Sequence, residues 1–558
     1  MFWFYLLDKV YFCLPFKYIM RKIILFLVCA FAIQSQAQQR PKLVVGIVVD
    51  QMKMEYLYRF SDDYSSKGFK RLMDKGFTFY NMNYNYVPTF TAPGHASIYT
   101  GTTPAVHGIM GNDWYIRSTG KSMYCTDDAN AKTLVAGSEK EGAMSPKNLL
   151  STTITDELRM ATNFKGKVIG MSMKDRGAIL PAGHFANWAF WYSKTGEFIS
   201  STFYGDKMPD WVTQFNSEKR YMKYIDKGWN LLRPADTYNE SLPDQNTYEE
   251  SIDKNVPPVF PYDLKKIYKD RGADIMRSTP FANDLLAELA IKAVESESLG
   301  KDDITDFLTV SFSSTDYIGH IYGPRSMEIQ DTYLRLDLTI ADFLDKLDAT
   351  VGKDNYLLFL TADHAAAENP IYMKDRKYDV TNISSKNMVK DIEKFSTDTF
   401  GVNLLLNYSN FNVYLNRNLV KEKGLDMIKV KQSFKEYLMA LNQVKRVYTD
   451  DEILAGTTED YYLKFVSKGF DPQQNGDLVI INKPGYMEYP ETGTTHGTPN
   501  SYDTNVPLLF YGWHVPVGGE SYKKEYITEI APTLSKMLKI TFTNGTECEV
   551  LEELLTKK

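Results

Sequence analysis

Four apolar runs in this chain each end in side chains that carry chemistry, and that recurrence limits the fold more than any other feature. Residues 42–50 read KLVVGIVVD and close on the carboxylate of Asp50. Residues 167–174 read KVIGMSMK and lead through Lys174 to Arg176. Residues 306–312 are followed by Asp316 and His320, and residues 356–360 by Asp363 and His364. Continuous apolar runs of this length suit strands buried on both faces of a parallel sheet. Two further strands are expected over 77–86 and 506–512. Helical spacing marks residues 64–75, 280–296, 327–350 and 527–538. The alternation predicts an α/β/α sandwich with a mostly parallel central sheet. Such sheets bind ligands beyond the carboxyl ends of their strands. One polar strand end is ordinary, but four predict a site.

Residues 88–101, PTFTAPGHASIYTG, read as a loop and a short helix that stops at Gly101. Thr91 falls at or next to the N-cap, with Pro93 in the first turn. A hydroxyl there faces unpaired N–H groups and the positive end of the helix dipole. That position favours an anion, or a nucleophile that must become an alkoxide. Taken alone, Thr91 is a plain N-cap. The loop that follows, GTTPAVHGIMGNDWY, presents Asn112.

Asp316 and His320 stand four residues apart and share one face of a helical turn. Asp363 and His364 are adjacent at a strand end, and His496 lies in the polar loop TTHGTPN. With Asp50, these three Asp and three His can give two zinc ions three ligands each, leaving positions open for substrate oxygens. Two ions ~4 Å apart can stabilise the attacking and leaving oxygens of an in-line displacement. Singly, each motif is commonplace. The chain has 7 His, and the other four, His95, His107, His184 and His514, read as structural.

Residues 20–37 form a targeting segment: a basic pair, an apolar run of about 11 residues and a small-x-small pattern ending at Ala37. Cleavage after Ala37 is expected, with Met20 as the natural start and residues 1–19 as an upstream extension. Lys17, Arg21 and Lys22 interrupt the apolar stretch, so no clean ~20-residue membrane span forms. Cleavage would take the net charge from −6 to −9. No basic run suits nucleic acid. Cys125 and Cys548 survive cleavage and can pair only if the fold brings them within reach. Residues 38–558 read as one catalytic domain. Two stretches, 198–275 and 370–485, break the sheet pattern and read as insertions over the active-site edge, the first a cap. No coiled-coil segment is present, so a monomer is expected.

PTFTAPGHASIYTG, the D-x3-H pair, LTADH and the late THGT together resemble the alkaline phosphatase superfamily. GNDWY and MSMKDRGAILPAG are similar to the PafA-like bacterial alkaline phosphatases, which use a threonine nucleophile. The resemblance runs from about Lys42 to the C-terminus. It implies that Thr91 forms a covalent phosphothreonine and that Asn112, Lys174 and Arg176 bind the phosphoryl oxygens. It also implies one zinc on Asp50, Asp363, His364 and the Thr91 hydroxyl, and a second on Asp316, His320 and His496. The expected activity is an exported, periplasmic or secreted, zinc-dependent hydrolysis of phosphate monoesters.

The residues agree with that chemistry, because phosphoryl transfer needs positioning and charge neutralisation above all. The alternative is a phosphodiesterase or nucleotide pyrophosphatase of the same superfamily, sharing Thr91, Asn112 and all six ligands. Lys174 and Arg176 favour the monoesterase, since a monoester carries one more anionic oxygen. A sulfatase lacks its nucleophile motif here. A non-catalytic binding protein would have lost a ligand or the nucleophile, and none is missing.

Overall fold

The computed structural model describes residues 40–456, 459–546 and 549–556. Among them runs a ten-stranded sheet. Its strands are β1 (Leu43–Val49), β2 (Phe77–Asn83), β3 (Val168–Ser172), β4 (Trp188–Tyr192), β5 (Phe198–Ile199), β6 (Asp306–Phe312), β7 (Tyr356–Thr361), β8 (Asn505–Gly512), β9 (Gly519–Ser521) and β10 (Glu525–Tyr526). The order is β9-β2-β8-β7-β1-β6-β3-β4-β5, with β10 also pairing with β2. From β7 to β4 every pairing is parallel. β1, β3, β6 and β7 are buried along their whole length, which explains why they read as unbroken apolar runs. These four strands are neighbours, so their carboxyl ends lie side by side on one edge.

β8 runs antiparallel to both β7 and β2. Its amino end therefore meets the edge where β7 ends, and the loop carrying His496 reaches the same place. Helix α1 (Thr91–Thr100) is buried at every residue. It packs against α2 (Asp175–Ala182) and α6 (Ile530–Leu538), while α3 (Phe281–Ser296) packs against α5 (Met327–Thr350). α4 (Ser314–Tyr322) follows β6 and lies against α5.

Some boundaries differ from those expected. The helix predicted over 64–75 begins only at Phe69. Its start is set from outside, because Asp337 on α5 accepts hydrogen bonds from the backbone N–H groups of Ser65 and Phe69 (2.7 and 2.8 Å). The strand predicted to Tyr86 ends at Asn83. Tyr84 turns inward and donates to the Ala362 carbonyl at 2.7 Å. The last predicted helix opens with a 3-10 turn, Ile527–Glu529, before α6.

Within 370–485 a separate four-stranded antiparallel sheet forms from Leu405–Ser409, Asn412–Leu415, Val444–Thr449 and Leu478–Asn482. Val413, Leu415, Phe434 and Ile480 sit in its own apolar core. A hairpin, Asp113–Ile116 with Lys121–Tyr124, joins this sheet to the region of α1. Arg117 beyond its first strand donates to Asp477 Oδ2 at 2.7 Å, and Tyr115 packs edge-on against Tyr414. The 198–275 stretch packs on the main core through residues such as Trp229, whose indole N–H donates to Asp331 at 2.7 Å. Cys125 is buried and forms no disulfide among the described residues. Cys548 and the expected targeting segment lie outside the described residues. No described helix is long and apolar enough to cross a membrane.

Candidate active site

Thr91 is the first residue of α1, and Phe90 is the N-cap. The helix start rests directly on the end of β7. A Cβ at Gly94 would lie 2.2 Å from the Asp363 carbonyl oxygen, so only glycine allows this approach. Asn112 reaches back to the same turn, its Oδ1 accepting from the Ala92 N–H at 2.9 Å. That bond engages the amide oxygen, so the NH2 is the end that can donate to a ligand. Lys174 Nζ lies 3.5 Å from Thr91 Oγ1.

Lys174 also bridges two carboxylates, at 2.6 Å from Asp50 Oδ2 and 2.5 Å from Asp316 Oδ2. His364 Nε2 stands 3.4 Å from Asp50 Oδ1 and 3.6 Å from Asp363 Oδ2. His320 Nε2 and His496 Nε2 stand 3.2 and 3.7 Å from Asp316 Oδ1. Ligand atoms of Asp316, His320 and His496 form one tight group, and those of Asp50, Asp316 and His364 another. Asp316 thus sits between the two sets. The imidazoles of His364 and His496 stack with centroids 3.4 Å apart.

All three imidazoles are oriented alike. Nδ1 of His320 pairs with the Thr494 carbonyl, that of His496 with the Thr89 carbonyl (2.7 Å each), and that of His364 with the Ala365 carbonyl at 3.0 Å. A carbonyl on Nδ1 selects the tautomer whose bare Nε2 can ligate a metal. Asp50 Oδ1, Asp363 Oδ2 and His364 Nε2 are buried without hydrogen-bond partners. Orphaned acceptors of this kind are costly unless a cation satisfies them. The donor set, carboxylates with imidazoles, therefore fits a borderline divalent ion such as zinc.

Charge is unevenly shared. Burial, then repulsion from Asp316 and Asp363, pushes the Asp50 carboxyl well above its ordinary value. Burial also acts on Asp316, but His320 and Lys174 outweigh it and hold the carboxyl well below. Asp363 is lowered too, burial being outweighed by His364 and His95. Burial pushes the pKa of His364 and of His496 down.

Arg176 stands apart from the others. It shares with Lys174 the wall of a cavity that Tyr317, Tyr124 and Arg277 also line, and its Nη1 donates to Tyr124 Oη at 3.0 Å. Sequence reasoning missed Gln51. Its N–H donates to Asp363 Oδ1 at 3.1 Å and its Nε2 to Asp316 Oδ1 at 2.7 Å. It holds φ at 64° to do so, and Gly319 makes room, since a Cβ there would lie 1.9 Å from Gln51 Oε1. A glutamine after Asp50 carries no sequence signal of that role. His95, read as structural, pairs with the Thr91 carbonyl at 2.9 Å and lies 3.3 Å from Asp363 Oδ2.

The family described as type I phosphodiesterase / nucleotide pyrophosphatase matches residues 44–503. The chain belongs to that family of the alkaline phosphatase superfamily, and within it to the PafA-like enzymes. Alkaline phosphatase PafA of Elizabethkingia meningoseptica is 43% identical over 94% of this chain and 96% of its own. A Myroides odoratus protein named calcium-transporting ATPase is 44% identical over 94% of this chain and 97% of its own. A crystal structure of wild-type PafA superposes with a TM-score of 0.90 at 43% identity, covering 93% of this chain and 100% of that one. A variant structure of PafA carries substitutions at a threonine, an asparagine, a lysine and an arginine. Their spacing along that chain matches Thr91, Asn112, Lys174 and Arg176 here.

Proposed function

We propose that this chain is a zinc-dependent alkaline phosphatase that hydrolyses phosphate monoesters through a phosphothreonine on Thr91. The observation that carries the reading is the meeting of Thr91 Oγ1, Lys174 Nζ, three buried carboxylates and three imidazole Nε2 atoms that face them on one sheet edge. Asp50, Asp363 and His364, with the Thr91 oxygen, would hold one zinc, and Asp316, His320 and His496 the other. Bound there, two zinc ions supply Lewis acidity toward the attacking and leaving oxygens and toward water.

The chain's own residues do the rest. Thr91 Oγ1 gives up its proton and forms a bond to phosphorus as the bond to the alcohol oxygen breaks, and that oxygen takes up a proton from solvent to leave as the alcohol. Water then cleaves the phosphothreonine and releases inorganic phosphate. The α1 amino end favours the anionic oxygen at this step. The Asn112 amide donates to one non-bridging oxygen, and Lys174 and Arg176 neutralise the dianionic group. His95, through the Thr91 carbonyl, fixes the first turn of α1.

The test is the ratio of kcat/KM for an aryl phosphate monoester to that for the matching methyl aryl diester, on zinc-loaded protein. A strong monoester preference, lost in Lys174→Ala and Arg176→Ala, supports the reading. The family's description names the diesterase activity, whereas the relatives at 43% identity are alkaline phosphatases. A diester preference would move the chain to the diesterase reading while keeping Thr91 and both ligand sets. Export is part of the same proposal: the mature protein begins at Gln38, as N-terminal sequencing would report, and resides in the periplasm or outside the cell as a monomer. The 198–275 and 370–485 stretches act as insertions over the active-site edge, the first a cap.

A further inference from the structure

Arg176 is half-buried, and among the described residues no carboxylate pairs with it closely. Asp175 Oδ1 lies 4.0 Å from its Nη1. Tyr124 stands between them. Its hydroxyl accepts from Arg176 Nη1 at 3.0 Å and donates to Asp175 Oδ1 at 2.7 Å. Thr126 Oγ1 donates to Asp175 Oδ2 at 3.0 Å and completes the network. One edge of the guanidinium is thus fixed, while Nε is buried with no partner. A direct ion pair would have spent the fork on Asp175. The relay holds the fork in place and leaves donors free for another anion.

The hairpin ties this relay to the rest of the clamp. Asp113 and Tyr124 are paired across its base, and the Cys125 N–H donates to the Asn112 carbonyl at 2.9 Å. Asn112 in turn holds the first turn of α1 through the Ala92 N–H. One two-stranded element therefore sets the places of both Asn112 and Arg176 relative to Thr91.

We propose that Tyr124 is a positioning residue that aims the Arg176 fork at the substrate's phosphoryl group and so sets the preference for monoesters. The inference rests on the reading of Arg176 as a phosphoryl clamp. Tyr124→Phe removes the bridging hydroxyl and keeps the ring. It should lower kcat/KM for the aryl monoester by about 10-fold and that for the methyl diester by less than about twofold. In an Arg176→Ala background the same change should alter the monoester rate by less than about twofold, because the two residues act as a unit. Thr126→Val, which loosens Asp175 alone, should give a smaller loss of the same selectivity and serves if the first variant does not fold. Equal losses on both esters, or a full loss repeated in the Arg176→Ala background, would overturn the proposal. If Arg176→Ala itself harms both esters equally, the clamp reading fails and takes this inference with it. If Arg176→Ala is selective and Tyr124→Phe is not, only the role of Tyr124 falls.

Discussion

Thr91 differs from an ordinary capping threonine only in its company. An ammonium lies 3.5 Å from its oxygen, and three buried carboxylates lie close by. Thr91→Ala should lower kcat by at least about 10³-fold while zinc content, read by metal analysis, stays near wild type. Near-normal turnover would exclude the covalent route. Away from the ligands, His107 offers a second residue-level test. Its Nε2 pairs with Ser97 Oγ at 3.0 Å and its Nδ1 accepts the Ile109 N–H. Burial pushes it from 6.5 down to about 3. The unfolded chain therefore binds the proton more tightly than the folded one. The stability this group supports is complete above pH 6.5 and is lost as pH falls toward 3. The loss approaches about 1.4 kcal/mol per pH unit. Denaturant titrations between pH 7 and pH 4 should show that slope reduced in His107→Gln. Asp50, Asp316, His320, Asp363, His364 and Thr91 were all legible as candidates, because each stands at an apolar run's end or a helix start. Gln51 and Tyr124 were not. Their partners lie 265 and 52 residues away, at Asp316 and Arg176.

The elements act through their ends. β7, β1, β6 and β3 are adjacent and parallel, so four chain-distant residues meet without any local signal linking them. α1 completes the edge only because it can lie against the Asp363 backbone. Gly94→Ala would bring a methyl group within 2.2 Å of that carbonyl oxygen, and backbone cannot swing aside as a side chain can. The helix must shift, so the variant should lose about 1–3 kcal/mol of stability. It should also lose about 10²-fold in kcat/KM, since Thr91 moves with the helix. Denaturant titration and a rate assay check both, and a wild-type profile would mean that α1 is not held against β7. Element existence was readable from period and length, as for α5 and β6. Boundaries were less so where a tertiary partner supplied the cap, as Asp337 does for Phe69.

At the scale of the molecule, the buried edge gathers three carboxylates that like-charge repulsion would push apart, and Lys174 bridges two of them. Bound zinc would satisfy the orphaned acceptors and favour the folded state. Dialysis against a chelator should abolish turnover and lower stability by at least about 3 kcal/mol relative to zinc-saturated protein, with both restored by zinc. A thermal midpoint and rate unchanged by chelation would count against metal in these residues. The sequence by itself determined the chemistry available. Apolar runs too long and continuous for a solvent-facing strand require a buried parallel sheet, and the polar residues at their ends then share one edge. It also carried the helix α1, through Pro93 and Gly101. Only the tertiary structure decided how those residues are shared out: that Asp316 stands between both ligand groups, that β8 runs antiparallel and delivers His496, and that Arg176 is held by Tyr124. The reason is that strand order, strand direction and side-chain bridges arise from contacts between segments tens to hundreds of residues apart. Local period and propensity record only what a residue's near neighbours require.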